Sequence, residues 1–167
     1  RKMFLDKLCK TNPNLIQIAV HMHQQKQILP DTYVVDVDRF LENAKAILQK
    51  ANEQNIELYY MLKQIGRNPY LAKELEKIGY KGAVVVDFKE AEVMMKNHLH
   101  IAHAGHLVQI PSMMINQLVA YGCDYITVYS YEKLVEVNEA AKKIGLVQKV
   151  CAVSYTHLRA HETVLDL

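Results

Sequence analysis

The chain has 167 residues, half of them hydrophobic and 23% charged, with a formal net charge of +2. That length holds one ordinary domain with a real core but falls short of the ~250 residues of a whole eight-stranded barrel. Interspersed charge argues against a nucleic-acid surface, and no apolar run approaches the ~20 residues of a membrane span. The N-terminus lacks a signal-peptide core. Cys9, Cys123 and Cys151 are few and unpatterned, and read as buried or incidental thiols of a reducing cytoplasm.

Residues 1–30 form two helical segments broken at Asn12-Pro13-Asn14, a lead-in expected to pack on the outside of the main fold. Tyr33-Val34-Val35-Asp36-Val37 is the first predicted strand. A helix over Asp38 to Asn52 follows it, with Phe40, Leu41, Ala44, Ile47, Leu48 and Ala51 at helical spacing. The second strand ends the apolar run Ile56 to Lys63. Its helix opens at Pro69 and closes at Gly79. Gly82 to Val86, His100 to His103 and Tyr125 to Tyr129 are the next strands. Helices over Phe88 to Lys96, Ser112 to Tyr121 and Tyr131 to Ile144 alternate with them, and a sixth strand begins at Val147.

Most of these strand centres fall about 24 residues apart, the size of one strand-plus-helix unit, and right-handed crossovers make such strands parallel. Continuous apolar strands such as Ala83 to Val86 suit a sheet covered on both faces. The fold expected is α/β: an incomplete TIM (β/α)8 barrel over residues 31–152, with about six parallel strands where eight are needed. Residues 153–167 are expected to be an artefactual tail. Val153 to Thr163 resembles the in-frame translation of a sequencing-library adaptor, which would end the natural sequence near Val150 or Cys151. His157, Arg159, His161 and Glu162 accordingly receive no role.

In parallel barrels the functional side chains lie at the C-terminal ends of strands and on the loops beyond them. Lys63 stands at such an end, before the turn Gln64-Ile65-Gly66-Arg67-Asn68-Pro69. A lysine buried there among apolar neighbours loses its proton more easily, because desolvation disfavours the ammonium, and the neutral amine can attack an aldehyde. Asp38, Asp87 and Ser130 precede helices and read as caps, Asp87-x-x-Glu90 having the form of a capping box. His98, His100, His103 and His106 crowd the fourth strand. They lack a firm ligand set at diagnostic spacing, so no metal is assigned. His106, just past the strand, is the histidine expected to line a cofactor ring. Asn68 and Arg67 can hydrogen-bond a cofactor or a substrate carboxylate, Arg through its bidentate fork; the bland alternative for both is turn chemistry. Met94, Met95, Met113 and Met114 read as core filler.

The stretch from about Asp31 to Val150 resembles the N-terminal barrel domain of the alanine racemase family, the fold-type III pyridoxal-phosphate enzymes. The resemblance is carried by Thr32-Tyr33-Val34-Val35-Asp36, Met61-Leu62-Lys63, Asp87-Phe88-Lys89-Glu90-Ala91-Glu92 and Gly105-His106-Leu107-Val108-Gln109-Ile110-Pro111. It implies pyridoxal 5'-phosphate held as a Schiff base on Lys63. It also implies proton transfer at the α-carbon of an amino acid, racemase-like isomerase chemistry in a whole protein expected to be a homodimer. In a two-base racemase the opposing base is a tyrosine from a C-terminal β domain of the other subunit, and the fragment alone is expected to catalyse little. The family pattern Lys-Ala-Asn-Ala-Tyr-Gly is replaced here by Lys63-Gln64-Ile65-Gly66-Arg67-Asn68-Pro69, which removes a local tyrosine and the basis for alanine specificity. The alternative is a non-catalytic pyridoxal-phosphate-binding homeostasis protein of the same barrel. A third reading, a metal-dependent barrel hydrolase, would use the histidines.

Overall fold

Residues 4–153 are described by the structure, a computed structural model. The chain divides into two units, residues 1–49 and 50–167. The first contains α1 (Phe4–Thr11), α2 (Pro13–Gln24) and most of α3 (Val37–Glu53). Asn12 starts α2: its side chain accepts a hydrogen bond from Leu15 N, and Pro13 takes the first helical position, where a missing N–H costs nothing. The Asn12 amide also donates to Asp36 at 2.6 Å. Asp36 in turn accepts from Arg39 N and so caps α3, a role the sequence had suggested for Asp38. The Arg39 amide, then the Asn12 amide, hold the Asp36 carboxyl below the usual carboxylate range.

The first expected strand does not form. Residues 32–36 are irregular and Val37 already opens α3. A β-branched run only favours extended backbone, and it becomes a strand when a neighbour pairs with it.

The second unit alternates helices with a parallel sheet. After the short 3₁₀ turn Lys63–Ile65 come α4 (Pro69–Ile78), β1 (Ala83–Val85), α5 (Phe88–Lys96), β2 (Ile101–Ala104) and α6 (Ser112–Tyr121). β3 (Tyr125–Val128), α7 (Tyr131–Lys143) and β4 (Lys149–Ala152) complete it. Sheet order is β1-β2-β3-β4, every pair parallel. Among the described residues there are thus four strands rather than six. The Lys63 segment joins β1 through a single bridge, Tyr60 to Ala83, with Tyr60 N donating to Gly82 O and Val84 N to Tyr60 O. The architecture is that of a partial TIM barrel.

Packing follows from the alternation. Val85, Ile101 and Ile126 are wholly buried under helices that contribute Ala91, Met94 and Leu118. Met113 is the exception among the expected core methionines: it is 89% exposed. The spacing of about 24 residues reappears as hydrogen bonds between equivalent positions of successive units. His100 Nε2 meets Asp124, His103 Nε2 meets Thr127, Ser112 donates to Glu136, and the Tyr129 hydroxyl donates to Gly105 O, each pair 24 residues apart. All four pairs join the segment of β2 and α6 to that of β3 and α7, so one step of the alternation is stitched at a constant spacing. No helix among the described residues is long and apolar enough to cross a membrane.

Cys123 is buried, while Cys9 and Cys151 are exposed. Burial pushes the Cys123 thiol up to about 12 from its ordinary 9.0. Because the folded value is the higher one, its contribution to stability is complete below pH 9 and is lost as pH rises toward 12. Two thiols are expected to react with a chromogenic disulfide at neutral pH, and the third only after unfolding. Cys123→Ala should flatten the alkaline fall in urea-measured stability by about 1 kcal/mol per pH unit.

Candidate functional site

The residues of interest lie past the C-terminal ends of the strands. Leu62 is buried and Lys63, one residue on, is exposed. The lysine is therefore not in the apolar pocket expected for it. Its amine makes no hydrogen bond or ion pair among the described residues. The 3₁₀ turn that begins at Lys63 ends at Gly66, with φ of 72°, and Arg67 follows with φ of 55°. Two successive left-handed residues reverse the chain, and the second is an arginine, a type that rarely adopts this conformation. Arg67 N and Ile65 N both donate to Leu62 O, which closes the loop on itself.

Asn68 and Arg67 are already engaged. Asn68 caps α4, its side-chain oxygen accepting from Tyr70 N and Leu71 N, and Pro69 takes the first helical position. Arg67 Nη2 pairs with Asp87 at 3.0 Å, while Arg67 Nε is buried without a partner. The turn chemistry weighed for both residues is what the geometry displays.

Asp87 caps α5, accepting from Glu90 N at 2.9 Å. Glu90 does not return the bond to Asp87 N, as a capping box requires. Its carboxylate instead accepts from Val86 N at 2.8 Å and from Leu62 N at 3.2 Å. Sequence reasoning missed this role. The signal was there: Glu90 shares the buried face of α5 with Ala91, Met94 and Met95, and an acid on a buried face needs donors.

The loop after β2 meets the same strand end. Gly105 N donates to Val85 O and Val108 N to Val86 O, so Val86 is bonded to Glu90 on one side and to the His106 loop on the other. Gly105 has φ of 79°, and a β-carbon there would come within 3.3 Å of Ile110. Tyr129 pins the loop through its hydroxyl, which donates to His106 O at 2.7 Å. His106 itself is exposed, and its ring stands edge-on to His103 at 5.6 Å between centroids. Burial, with the neighbouring His106 as a smaller cause, pulls His103 below the ordinary histidine range and favours its neutral form. His98 and His100 are elsewhere: they precede β2, at the opposite end of the sheet, where His100 pairs with Asp124 at 2.8 Å.

A hollow on the sheet is lined by Tyr59, Val84, Ala102, His103, Tyr125 and Cys151. Register pairs Val84 with His103 and His103 with Tyr125, so these three form one row across β1, β2 and β3. The described residues thus supply one exposed, unpaired amine, a pinned histidine loop and a lined sheet face, all built from consecutive units. Among them no group of three or more histidine, cysteine or acidic side chains converges as a metal site.

Comparison with known proteins gives a consistent result. The family model described as alanine racemase, N-terminal domain, matches residues 35–157. The uncharacterized protein YhfX of Escherichia coli (strain K12) is 47% identical over 154 residues, which are 92% of this chain and 40% of that protein. The chain therefore spans well under half the length of this curated relative. Among solved structures, D-threonine aldolase from Filomicrobium marinum has a TM-score of 0.60 at 18% identity, over 71% of this chain and 32% of that one. AQ1208 from Aquifex aeolicus has a TM-score of 0.52 at 22% identity, over 66% of this chain and 28% of that one. At these identities the likeness is one of fold.

Proposed function

This chain belongs to the alanine racemase N-terminal domain family, and from that premise we propose that it carries the cofactor lysine of a pyridoxal-phosphate-dependent enzyme acting on amino acids. The observation that carries the proposal is Lys63: an exposed amine with no partner among the described residues, just past the Tyr60 bridge to β1, on a loop closed by its own backbone bonds. An amine held this way fits an aldehyde cofactor, because nothing among the described residues competes for it. Lys63 would hold the group covalently and, once displaced by a substrate amine, move a proton at the α-carbon. Pyridoxal phosphate, when bound, supplies an electron sink for the negative charge developed there.

His106 would flank the cofactor, its backbone fixed by Tyr129 while its ring stays exposed. Asn68 uses its oxygen to cap α4, which leaves its amide nitrogen to donate. Arg67 can receive a substrate carboxylate only in competition with Asp87, so its first service is to anchor the loop. Racemisation is the reaction we favour, in a homodimer of the longer protein.

The carrier reading has less support. The 154 matched residues are 40% of the Escherichia coli relative, which therefore exceeds the ~250 residues of a bare eight-stranded barrel. Length of that kind suits a barrel with a further domain. The test is to incubate the full-length protein with pyridoxal phosphate, reduce with borohydride and map the modified peptide. A pyridoxyl group on Lys63 is expected, together with exchange of the α-proton of an amino acid for solvent deuterium. A label on another side chain would overturn the assignment, and labelling of Lys63 without α-proton exchange for any amino acid would favour the carrier.

A further inference from the structure

We propose that the first turn of α5, through Glu90 and Asp87, is a positioning device for Lys63, an inference that rests on the cofactor role proposed for that lysine. Glu90 is 1% exposed. A carboxylate that deep is strongly disfavoured unless its oxygens find donors. Both do, and the donors come from two separate segments, the one that bridges β1 at Tyr60 and the end of β1 itself: Leu62 N to Oε1 and Val86 N to Oε2. Leu62 immediately precedes Lys63, so the contact fixes the peptide that leads into the lysine.

The other side of Lys63 is held from the same turn. Asp87 Oδ2 receives Arg67 Nη2 at 3.0 Å, while Asp87 Oδ1 accepts Glu90 N and so locks the two acids together. Arg67 N closes on Leu62 O at 3.0 Å, which joins the two grips. Leu62 and Arg67, on either side of the lysine, are thus bound, and the lysine side chain has no partner among the described residues. A carboxylate serving only core packing would not have to single out these two backbone positions. Glu90 and Asp87 act through the loop and are positioning residues, not catalytic ones. The gain is preorganisation: an amine misplaced by about 1 Å can lose about 10²-fold in rate.

The experiment uses the full-length protein and the variants Glu90→Gln and Asp87→Asn. Glutamine offers one acceptor oxygen in place of two, so either the Leu62 or the Val86 amide loses its partner. Asparagine at the other position still caps α5 but gives up the charge that faces Arg67. Two quantities are read: deuterium exchange in peptides covering residues 58–67 and residues 112–121, and the rate of borohydride-fixed labelling of Lys63 by pyridoxal phosphate. Expected for Glu90→Gln are about tenfold faster exchange in residues 58–67 with residues 112–121 unchanged, and about tenfold slower labelling of Lys63. Asp87→Asn should move both quantities in the same direction by about two- to fivefold.

Unchanged exchange in residues 58–67 in both variants, or a rise equally large in residues 112–121, overturns the proposal. Labelling within twofold of the parent in both variants overturns it as well. If the parent takes no label on Lys63, the cofactor assignment falls, and the exchange pattern alone decides whether the helix turn holds the loop. Should Glu90→Gln fail to fold, Asp87→Asn carries the decision by the same criteria.

Discussion

Lys63→Arg is expected to lower turnover of the full-length protein by about 10³-fold or more while leaving its folding stability within about 0.5 kcal/mol. Arginine keeps the positive charge and a comparable reach. Its guanidinium stays protonated at any working pH, so it neither condenses with an aldehyde nor accepts a proton. Lys63 is exposed and has no partner among the described residues, so its replacement removes no packing and leaves no buried group unpaired. Chemistry and stability therefore separate cleanly at this position. The check is a steady-state assay of α-proton exchange beside a urea melt of the same preparation. Activity within tenfold of the parent would mean that Lys63 is a solvated loop residue and that the reactive amine lies elsewhere.

Gly82→Ala is expected to destabilise the protein by about 2–5 kcal/mol, adding backbone strain to overpacking. Gly82 has φ of 152°, a conformation that side-chain-bearing residues rarely take. A β-carbon there would lie 2.5 Å from His100 Cδ2, 3.2 Å from His100 O and 3.3 Å from Ala102 Cβ. The His100 ring could swing aside only by giving up its bond to Asp124, and the backbone oxygen cannot swing at all. The neighbourhood also holds the Lys63 segment: Gly82 O accepts from Tyr60 N, and Lys81 N donates to Leu58 O. Urea unfolding should show a lower midpoint with an unchanged slope, since the surface exposed on unfolding stays the same. The variant should also label Lys63 more slowly, because the Tyr60 bridge beside β1 loosens. A loss under about 0.5 kcal/mol would show that the turn before β1 relaxes freely and does not anchor that segment.

Much of the second unit was legible because two of its strands are short β-branched runs closed by turn residues and followed by a helix with a side-chain cap. Ala83 to Val86 and Tyr125 to Val128 are of this kind, and the caps Asp87 and Ser130 fall where the sequence puts them. Tyr33 to Val37 carries the same letters and fails as a strand, since pairing depends on a neighbour that composition does not reveal. The run ending at Lys63 shows an intermediate outcome, keeping one bridge at Tyr60.

The site was legible in its parts and not in its connections. Lys63 and His106 were singled out as candidates from their places after apolar runs. What binds the loops together is written in residues whose letters have a simpler meaning. Asp-x-x-Glu spells a local cap, and nothing local says that the glutamate reaches an amide 28 residues earlier. Arg67 looks like a carboxylate fork, yet its left-handed backbone turns it toward Asp87. The His103–Thr127 pair needs the register of two strands, which the spacing hinted at but could not fix. The expected burial of Lys63 failed for a related reason: an apolar run up to Leu62 says how the chain enters the turn, not what covers the next side chain.

The long reach of Glu90 has a consequence for biosynthesis. A ribosome releases Leu62 well before it releases the acid that will hold it. In the interval the nascent loop is unrestrained, and its amine is one lysine among many to any passing aldehyde. If Lys63 holds the cofactor as proposed, selective loading waits on the docking of a later helix, and maturation becomes a question of timing along the growing polypeptide.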